Sequence, residues 1–195
     1  MRYSSLLSLL FIILISITFN TSSFAKRAAI IMDYDTHEVL FEVNADTLNY
    51  PASLAKMMTI YIVFDYLDKG KLTWNTKLSV SKNAASQPRS KLYLEEGTFI
   101  SVNNAIRALI IKSANDVATV VAEHISGSER EFAKLMTKYG KKIGMRKTTF
   151  KNASGLRNRA QLTTARDISI LSHALISNFP EYYKLFSEKK FTWKD

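Results

Sequence analysis

The segment from Pro51 to Leu67 constrains the fold most, because apolar residues occupy nearly every face of the helix that it predicts. Pro51 suits the start of a helix, and Gly70 suits the position just after its end. A helix that is apolar all round must be covered on all sides, so we expect it in the middle of a domain. Its first turn carries Ser53, which we expect to project from the core into a cleft.

Shorter elements are predicted on both sides of this helix. Residues 28–32 and 38–43 read as a β-hairpin, and residues 77–80 and 98–102 as short strands. Further helices are indicated at residues 105–112, from 117 to Gly127, from Ser128 to 143 and from Thr164 to a point before Pro180. With 195 residues, 47% of them hydrophobic, the chain can bury a sizeable core. We expect one domain over residues 26–195.

Residues 1–25 have the pattern of a signal peptide. Arg2 precedes an apolar stretch from Leu6 to Phe19, and Ser23-Phe24-Ala25 places small residues where signal peptidase reads them. This apolar stretch is short for a membrane span, which makes a retained anchor the alternative. The sequence thus predicts export to the periplasm or cell-wall space.

The chain is strongly basic, because it has 27 Lys and Arg against 17 Asp and Glu and so a formal net charge of +10. Such a surface attracts anions such as nucleic acid, anionic lipid or acidic cell-wall polymer. The cations are scattered, which argues against a dedicated nucleic-acid surface. No cysteine is present, and His37, His124 and His173 form no zinc motif, so no thiol chemistry, metal or cofactor is predicted.

Ser53 and Lys56 form a Ser-x-x-Lys pattern at the start of the central helix. Residues three apart lie on one face of a helix, so the amine can approach the hydroxyl. A lysine with a lowered pKa can take the serine proton and create a nucleophile. The pattern recurs at Ser79–Lys82 and Ser187–Lys190, and a simple helix cap at Ser53 is the alternative.

Ser113 and Asn115 form a Ser-x-Asn pattern between two apolar helical runs. The hydroxyl could relay a proton there, and the amide could hold a substrate carbonyl or the lysine. The same pattern recurs at Ser81–Asn83 and Ser101–Asn103, outside such a break. The alternative is that Ser113 and Asn115 only satisfy backbone groups at helix ends.

The order of these motifs resembles the penicillin-recognising serine transferases, and closely the low-molecular-mass D-alanyl-D-alanine carboxypeptidases. The resemblance covers almost all of residues 26–195. Its strings include Tyr50-Pro-Ala-Ser-Leu-Ala-Lys-Met-Met58, Ile111-Lys-Ser-Ala-Asn-Asp116, Asn152-Ala-Ser-Gly-Leu156 and Thr164-Ala-Arg-Asp167.

The resemblance implies an α+β, β-lactamase/transpeptidase-like fold, with a helical cluster and an antiparallel sheet. It also implies removal of the terminal D-alanine from peptidoglycan stem peptides. Ser53 would be the nucleophile, Lys56 the general base and Ser113 the proton relay, while Asn115 would position Lys56 and the substrate. β-Lactams would acylate Ser53, and the outer face of the cytoplasmic membrane is a further expected neighbour.

One motif of that family is absent. The chain has no Lys-Thr-Gly triplet, and its nearest string is Lys147-Thr148-Thr149. The sequence is therefore expected to be truncated before that motif, with the C-terminal strands missing and one edge and face of the sheet uncovered. The alternative function is a catalytically impaired fragment that binds cell-wall peptide or β-lactam. A β-lactamase is disfavoured by Ser-Ala-Asn and by the lack of a convincing Glu-x-x-x-Asn motif.

Overall fold

A computed structural model describes residues 27–193, and the predicted signal peptide lies outside them. At its centre is helix α1 (Ala55–Asp68), which follows a 3-10 turn at Ala52–Leu54. Met58, Ile62 and Phe64 of α1 are fully buried. The helix ends at Lys69, and Gly70 follows with a left-handed φ of 65°. The predicted central helix is confirmed.

Longer helices pack around α1. These are α4 (Asn115–Ser126), α5 (Glu129–Ile143) and α6 (Ala165–Asn178), and all three contact α1. The Thr164 hydroxyl caps α6 by accepting the Asp167 N–H at 3.0 Å. Ser128 caps α5 through the Glu131 N–H at 3.2 Å, while the Glu131 carboxylate pairs with Lys134. Side chains from all four helices form one continuous core.

The strands form small antiparallel sheets. Strand β1 (Ala29–Met32) pairs with β2 (Val39–Val43), and β3 (Lys77–Ser79) pairs with β4 (Phe99–Ser101). Short helices complete the described chain: α2 (Lys82–Ala85), α3 (Val102–Arg107), a π-helical turn at Ala108–Lys112, α7 (Pro180–Tyr183) and a 3-10 turn at Lys184–Ser187. The predicted α+β class and hairpin are confirmed.

The β1–β2 hairpin packs on α6 and leaves much of its apolar surface open. Every residue of β2 is exposed, including Leu40 at 60% and Phe41 at 52%. This agrees with the expected uncovered face. Between residues 27 and 193, no helix combines the length and hydropathy that crossing a bilayer requires.

The turn of this hairpin is closed by Asp33. Its carboxylate accepts the backbone N–H groups of Asp35 and Thr36, and hydrogen bonding chiefly from Thr36 lowers the pKa of Asp33. His37 follows with a φ of 62°, a left-handed conformation that strains a residue with a side chain. Its ring lies 4.3 Å from that of His173, although the two are distant in sequence.

Candidate active site

Ser53 and Lys56 meet at the N-terminal end of α1, as the spacing predicted. The Lys56 Nζ lies 3.4 Å from the Ser53 Oγ. Ser53 is exposed, whereas Lys56 is only 3% exposed. The N-cap of the 3-10 turn is Pro51 and that of α1 is Leu54, so Ser53 does not occupy the cap position that the alternative requires.

Burial changes the chemistry of Lys56. Desolvation lowers the pKa of its amine from 10.5 to about 8, because the charged form loses water when it is buried. A useful fraction of this lysine is therefore neutral near physiological pH. A neutral amine beside an exposed hydroxyl can act as a general base toward it.

A loop that is distant in sequence contacts the lysine and its neighbours on α1. Lys56 Nζ donates to the Ser154 carbonyl oxygen at 2.6 Å, and the Thr59 hydroxyl donates to the Ala153 carbonyl at 2.8 Å. Gly155 lies so close to the start of α1 that a Cβ there would sit 1.8 Å from the Ala52 carbonyl oxygen. Asn152–Leu156 is one of the strings that carry the family resemblance, but the sequence alone predicted no role for these residues.

Ser113 occupies the break between the π-helical turn and α4. Its backbone is left-handed, with a φ of 56°. The other Ser-x-Asn strings differ, because Ser81 and Ser101 cap helices by accepting the N–H groups of Ala84 and Asn104. Of the three Ser-x-Asn strings, the Ser113 string is the one that lies in a break between helical segments. Its role as relay stays a prediction.

Asn115 begins α4 and is 5% exposed. Its side-chain amide donates to the carbonyl oxygens of Pro88 and Arg89 at 3.0 and 3.1 Å, and its backbone N–H donates to Ser90 at 2.7 Å. These bonds fix the 88–90 segment beside Ser113. That Asn115 positions Lys56 and the substrate stays a prediction.

The Lys147-Thr148-Thr149 string has structural contacts. The Lys147 ammonium lies 3.5 Å from Asp46, and the Thr148 hydroxyl donates to Asp167 at 2.6 Å. Thr149 forms a β-bridge with Leu162. The string thus fastens residues 147–149 to the start of α6.

The described residues 27–193 contain no group of three or more His, Cys, Asp or Glu that could hold a metal ion. His37 and His173 approach each other without a third such ligand.

Comparison with known proteins gives a consistent family assignment. A family model described as D-alanyl-D-alanine carboxypeptidase matches residues 16–195. The chain is similar to D-alanyl-D-alanine carboxypeptidase DacC of Escherichia coli, with 38% identity over 90% of this chain and 46% of the relative. The chain spans about half the length of the curated relatives it matches: it covers 54% of D-alanyl-D-alanine carboxypeptidase DacF of Bacillus subtilis and 46% of the Escherichia coli protein.

Solved structures confirm the predicted fold. The D-alanyl-D-alanine carboxypeptidase DacD from Francisella tularensis is 40% identical, with a TM-score of 0.80 over 84% of this chain and 40% of that one. Penicillin-Binding Protein D2 from Listeria monocytogenes, in its cefotaxime-bound form, is 33% identical, with a TM-score of 0.76 over 85% of this chain and 68% of that one.

Proposed function

Because the chain belongs to the D-alanyl-D-alanine carboxypeptidase family, we propose that it is a serine-type peptidase that removes the terminal D-alanine from peptidoglycan stem peptides. The observation that carries this proposal is the exposed Ser53 hydroxyl 3.4 Å from the buried Lys56 amine. The lowered pKa of Lys56 supports its role as the base.

The reaction begins when neutral Lys56 takes the proton of the Ser53 hydroxyl. The Ser53 oxygen attacks the carbonyl between the terminal D-alanines, and the N-terminal end of α1 favours the developing negative charge. The C–N bond then breaks as Ser113 gives its proton to the departing D-alanine amine and takes the proton held by Lys56, which returns to its neutral form. Water hydrolyses the resulting ester, releases the shortened peptide and regenerates Ser53.

A β-lactam would enter the same reaction as a substitute for the D-alanyl-D-alanine amide. Attack by Ser53 opens the lactam ring, and the cleaved amine stays attached, so the whole antibiotic mass remains on the protein. The cefotaxime-bound form of the Listeria monocytogenes relative supports the proposal that this chain binds β-lactams.

The place of action follows from the substrate. Peptidoglycan lies outside the cytoplasmic membrane, and the signal-peptide pattern of residues 1–25 supports export to the periplasm or cell-wall space. The basic charge of the chain suits an acidic cell-wall polymer or the anionic outer face of that membrane. Mass spectrometry of the exported chain tests this, and an N-terminus at Lys26 is expected.

The test of activity is release of D-alanine from a synthetic peptide that ends in D-alanyl-D-alanine. We expect release by the full chain, loss of release in Ser53→Ala and retention in Ser187→Ala, a control in another Ser-x-x-Lys string. Penicillin adduct formation without D-alanine release would favour the alternative of a fragment that binds without turnover. A folded chain that gives neither would contradict the proposal.

A further inference from the structure

We propose that Gln161 is a positioning residue for the reaction, acting on Lys56 through residues 151–156, here called the clamp loop. This inference rests on the proposed roles of Ser53 and Lys56. Gln161 makes no hydrogen bond to either of them, and all partners of its side-chain amide lie in the clamp loop. Its effect would therefore pass through the loop backbone.

Gln161 binds both ends of the clamp loop with one buried side chain, only 1% exposed. Its Oε1 accepts the backbone N–H groups of Lys151 and Asn152 at 2.9 and 3.1 Å. Its Nε2 donates to the Leu156 carbonyl oxygen at 3.2 Å and to Asn152 Oδ1 at 3.3 Å. An amide that accepts at one end of a loop and donates at the other fixes the separation of those ends.

Asn152 closes the loop from inside. Its Oδ1 accepts the Gly155 N–H at 2.7 Å, and its Nδ2 donates to the Leu156 carbonyl at 2.8 Å. The Gln161 and Asn152 amides also bind each other. Together they hold residues 153–155 in one conformation, and this is the part of the loop that faces α1.

The Ser154 carbonyl oxygen of the clamp loop determines where the Lys56 amine lies. The Ser154 carbonyl accepts from Lys56 Nζ at 2.6 Å, a shorter contact than the 3.4 Å between Nζ and Ser53 Oγ. Ala153 is held separately by Thr59 and by the Glu129 carboxylate, which accepts the Ala153 N–H at 3.2 Å. Lysine has a long flexible side chain, so a fixed acceptor is what keeps its amine beside the hydroxyl.

A purely structural role for Gln161 predicts a different outcome from a positioning role. If Gln161 only satisfies buried backbone groups, its loss lowers stability and leaves the folded site unchanged. If it positions Lys56, its loss lets the clamp loop move and water reach the amine. The pKa of Lys56 then rises toward its ordinary value even in molecules that remain folded.

The experiment compares Gln161→Met with the wild-type full chain, and uses Gln87→Met as a control outside the clamp loop. Lysine labelled with ¹³C at Cε reports the Lys56 titration by NMR, with the signal assigned from Lys56→Arg. We expect the Lys56 titration to have its midpoint at about pH 8 in the wild type and at a higher pH in Gln161→Met. The rate of acylation by penicillin at neutral pH should fall about 10²-fold, because a small displacement of a reacting group lowers the rate by about this factor. Gln87→Met should match the wild type in both.

An unchanged Lys56 titration and an acylation rate within twofold of wild type, in folded Gln161→Met, would overturn the inference. If Gln161→Met does not fold, Asn152→Ala is measured instead, because it removes the Oδ1 atom that accepts from Gln161 Nε2 and from the Gly155 N–H. An unchanged Lys56 titration and acylation rate in folded Asn152→Ala would likewise overturn the inference. If the wild type is not acylated at all, the proposed function fails. The NMR titration then still decides whether Gln161 sets the environment of Lys56.

Discussion

Lys56 is the residue on which the chemistry of the site depends. It is buried, its pKa is lowered to about 8, and its amine lies between the Ser53 hydroxyl and the Ser154 carbonyl. The helical spacing of Ser53 and Lys56 is enough to predict that they meet. The sequence does not reveal the depth of burial or the carbonyl acceptor, because Ser154 is 98 residues away along the chain.

The first prediction concerns pH. Below its pKa, Lys56 carries a proton and cannot accept one from Ser53, so the rate of acylation by penicillin should rise with pH. The half-maximal rate is expected near the lowered pKa of about 8. Stopped-flow acylation over a pH series measures this. A rate that stays flat through that region, or rises only near the ordinary lysine pKa, would contradict the role of Lys56.

The second prediction removes the base. Lys56→Met keeps a long side chain in the buried position but has no amine, so penicillin acylation should fall by about 10²–10⁴-fold. Lys69→Met is the control, because Lys69 lies at the other end of α1 and pairs with Asp65 on the surface. Acylation kinetics of both variants are compared at one pH. Equal rates in the two variants would show that the amine of Lys56 is not the base.

At the scale of elements, the clamp loop contacts the start of α1 at Lys56, whereas Ser113 lies in the break between the π-helical turn and α4. The predicted hairpin, central helix and helix starts at Ser128 and Thr164 are correct because each has a local signal. At the start of α5, Ser128 caps the Glu131 N–H, while the Glu131 carboxylate binds Lys134. Contacts of the clamp loop have no such signal, because they join segments far apart in sequence.

The third prediction concerns the contact between the clamp loop and α1. Gly155→Ala would force apart the loop and the Ala52 carbonyl, in addition to the strain of a left-handed φ of 86°. Gly97→Ala provides the control, since Gly97 has a φ of 78° and open space around it. Strain alone costs about 1–2 kcal/mol, so Gly155→Ala should lose more stability than the control and also acylate more slowly. Similar denaturation midpoints and acylation rates in both variants would contradict the close approach.

The fourth prediction concerns the segment beside Ser113. The fully buried Asp116 carboxylate accepts the N–H groups of Leu92 and Leu94, at 3.0 and 3.1 Å to its Oδ2. Asp116→Ala leaves these buried donors without an acceptor and should reduce the free energy of unfolding by on the order of 3 kcal/mol. Urea denaturation measures it, with the exposed Asp68→Ala as control. A loss no larger than that of the control would contradict the anchoring role.

At the scale of the whole molecule, an α+β domain presents its site at one end of a buried helix and an open apolar face on the β1–β2 hairpin. The sequence predicted the class, the central helix and the open face. The structure brings His37 and His173 together, which their positions in the sequence did not suggest. Export and the domain boundaries at residues 26 and 195 stay predictions.

The fifth prediction concerns this open face. Exposed apolar strands favour association between molecules, and Leu40 and Phe41 are the two most exposed apolar residues of β2, one on each face of the strand. Replacing both by Lys should lower dye binding to apolar surface and reduce association measured by sedimentation. Phe99→Lys, an exposed apolar residue on the other sheet, is the control. Unchanged association of the double variant would show that Leu40 and Phe41 do not cause the association between molecules.

The central claim is that Ser53 is a nucleophile activated by Lys56. Intact-protein mass spectrometry after exposure to penicillin, followed by peptide mapping, tests it most directly. We expect a mass gain of one antibiotic, located on Ser53, that is absent in Ser53→Ala and retained in Ser187→Ala. A folded protein that gains no mass, or that carries the adduct on another residue, would contradict it.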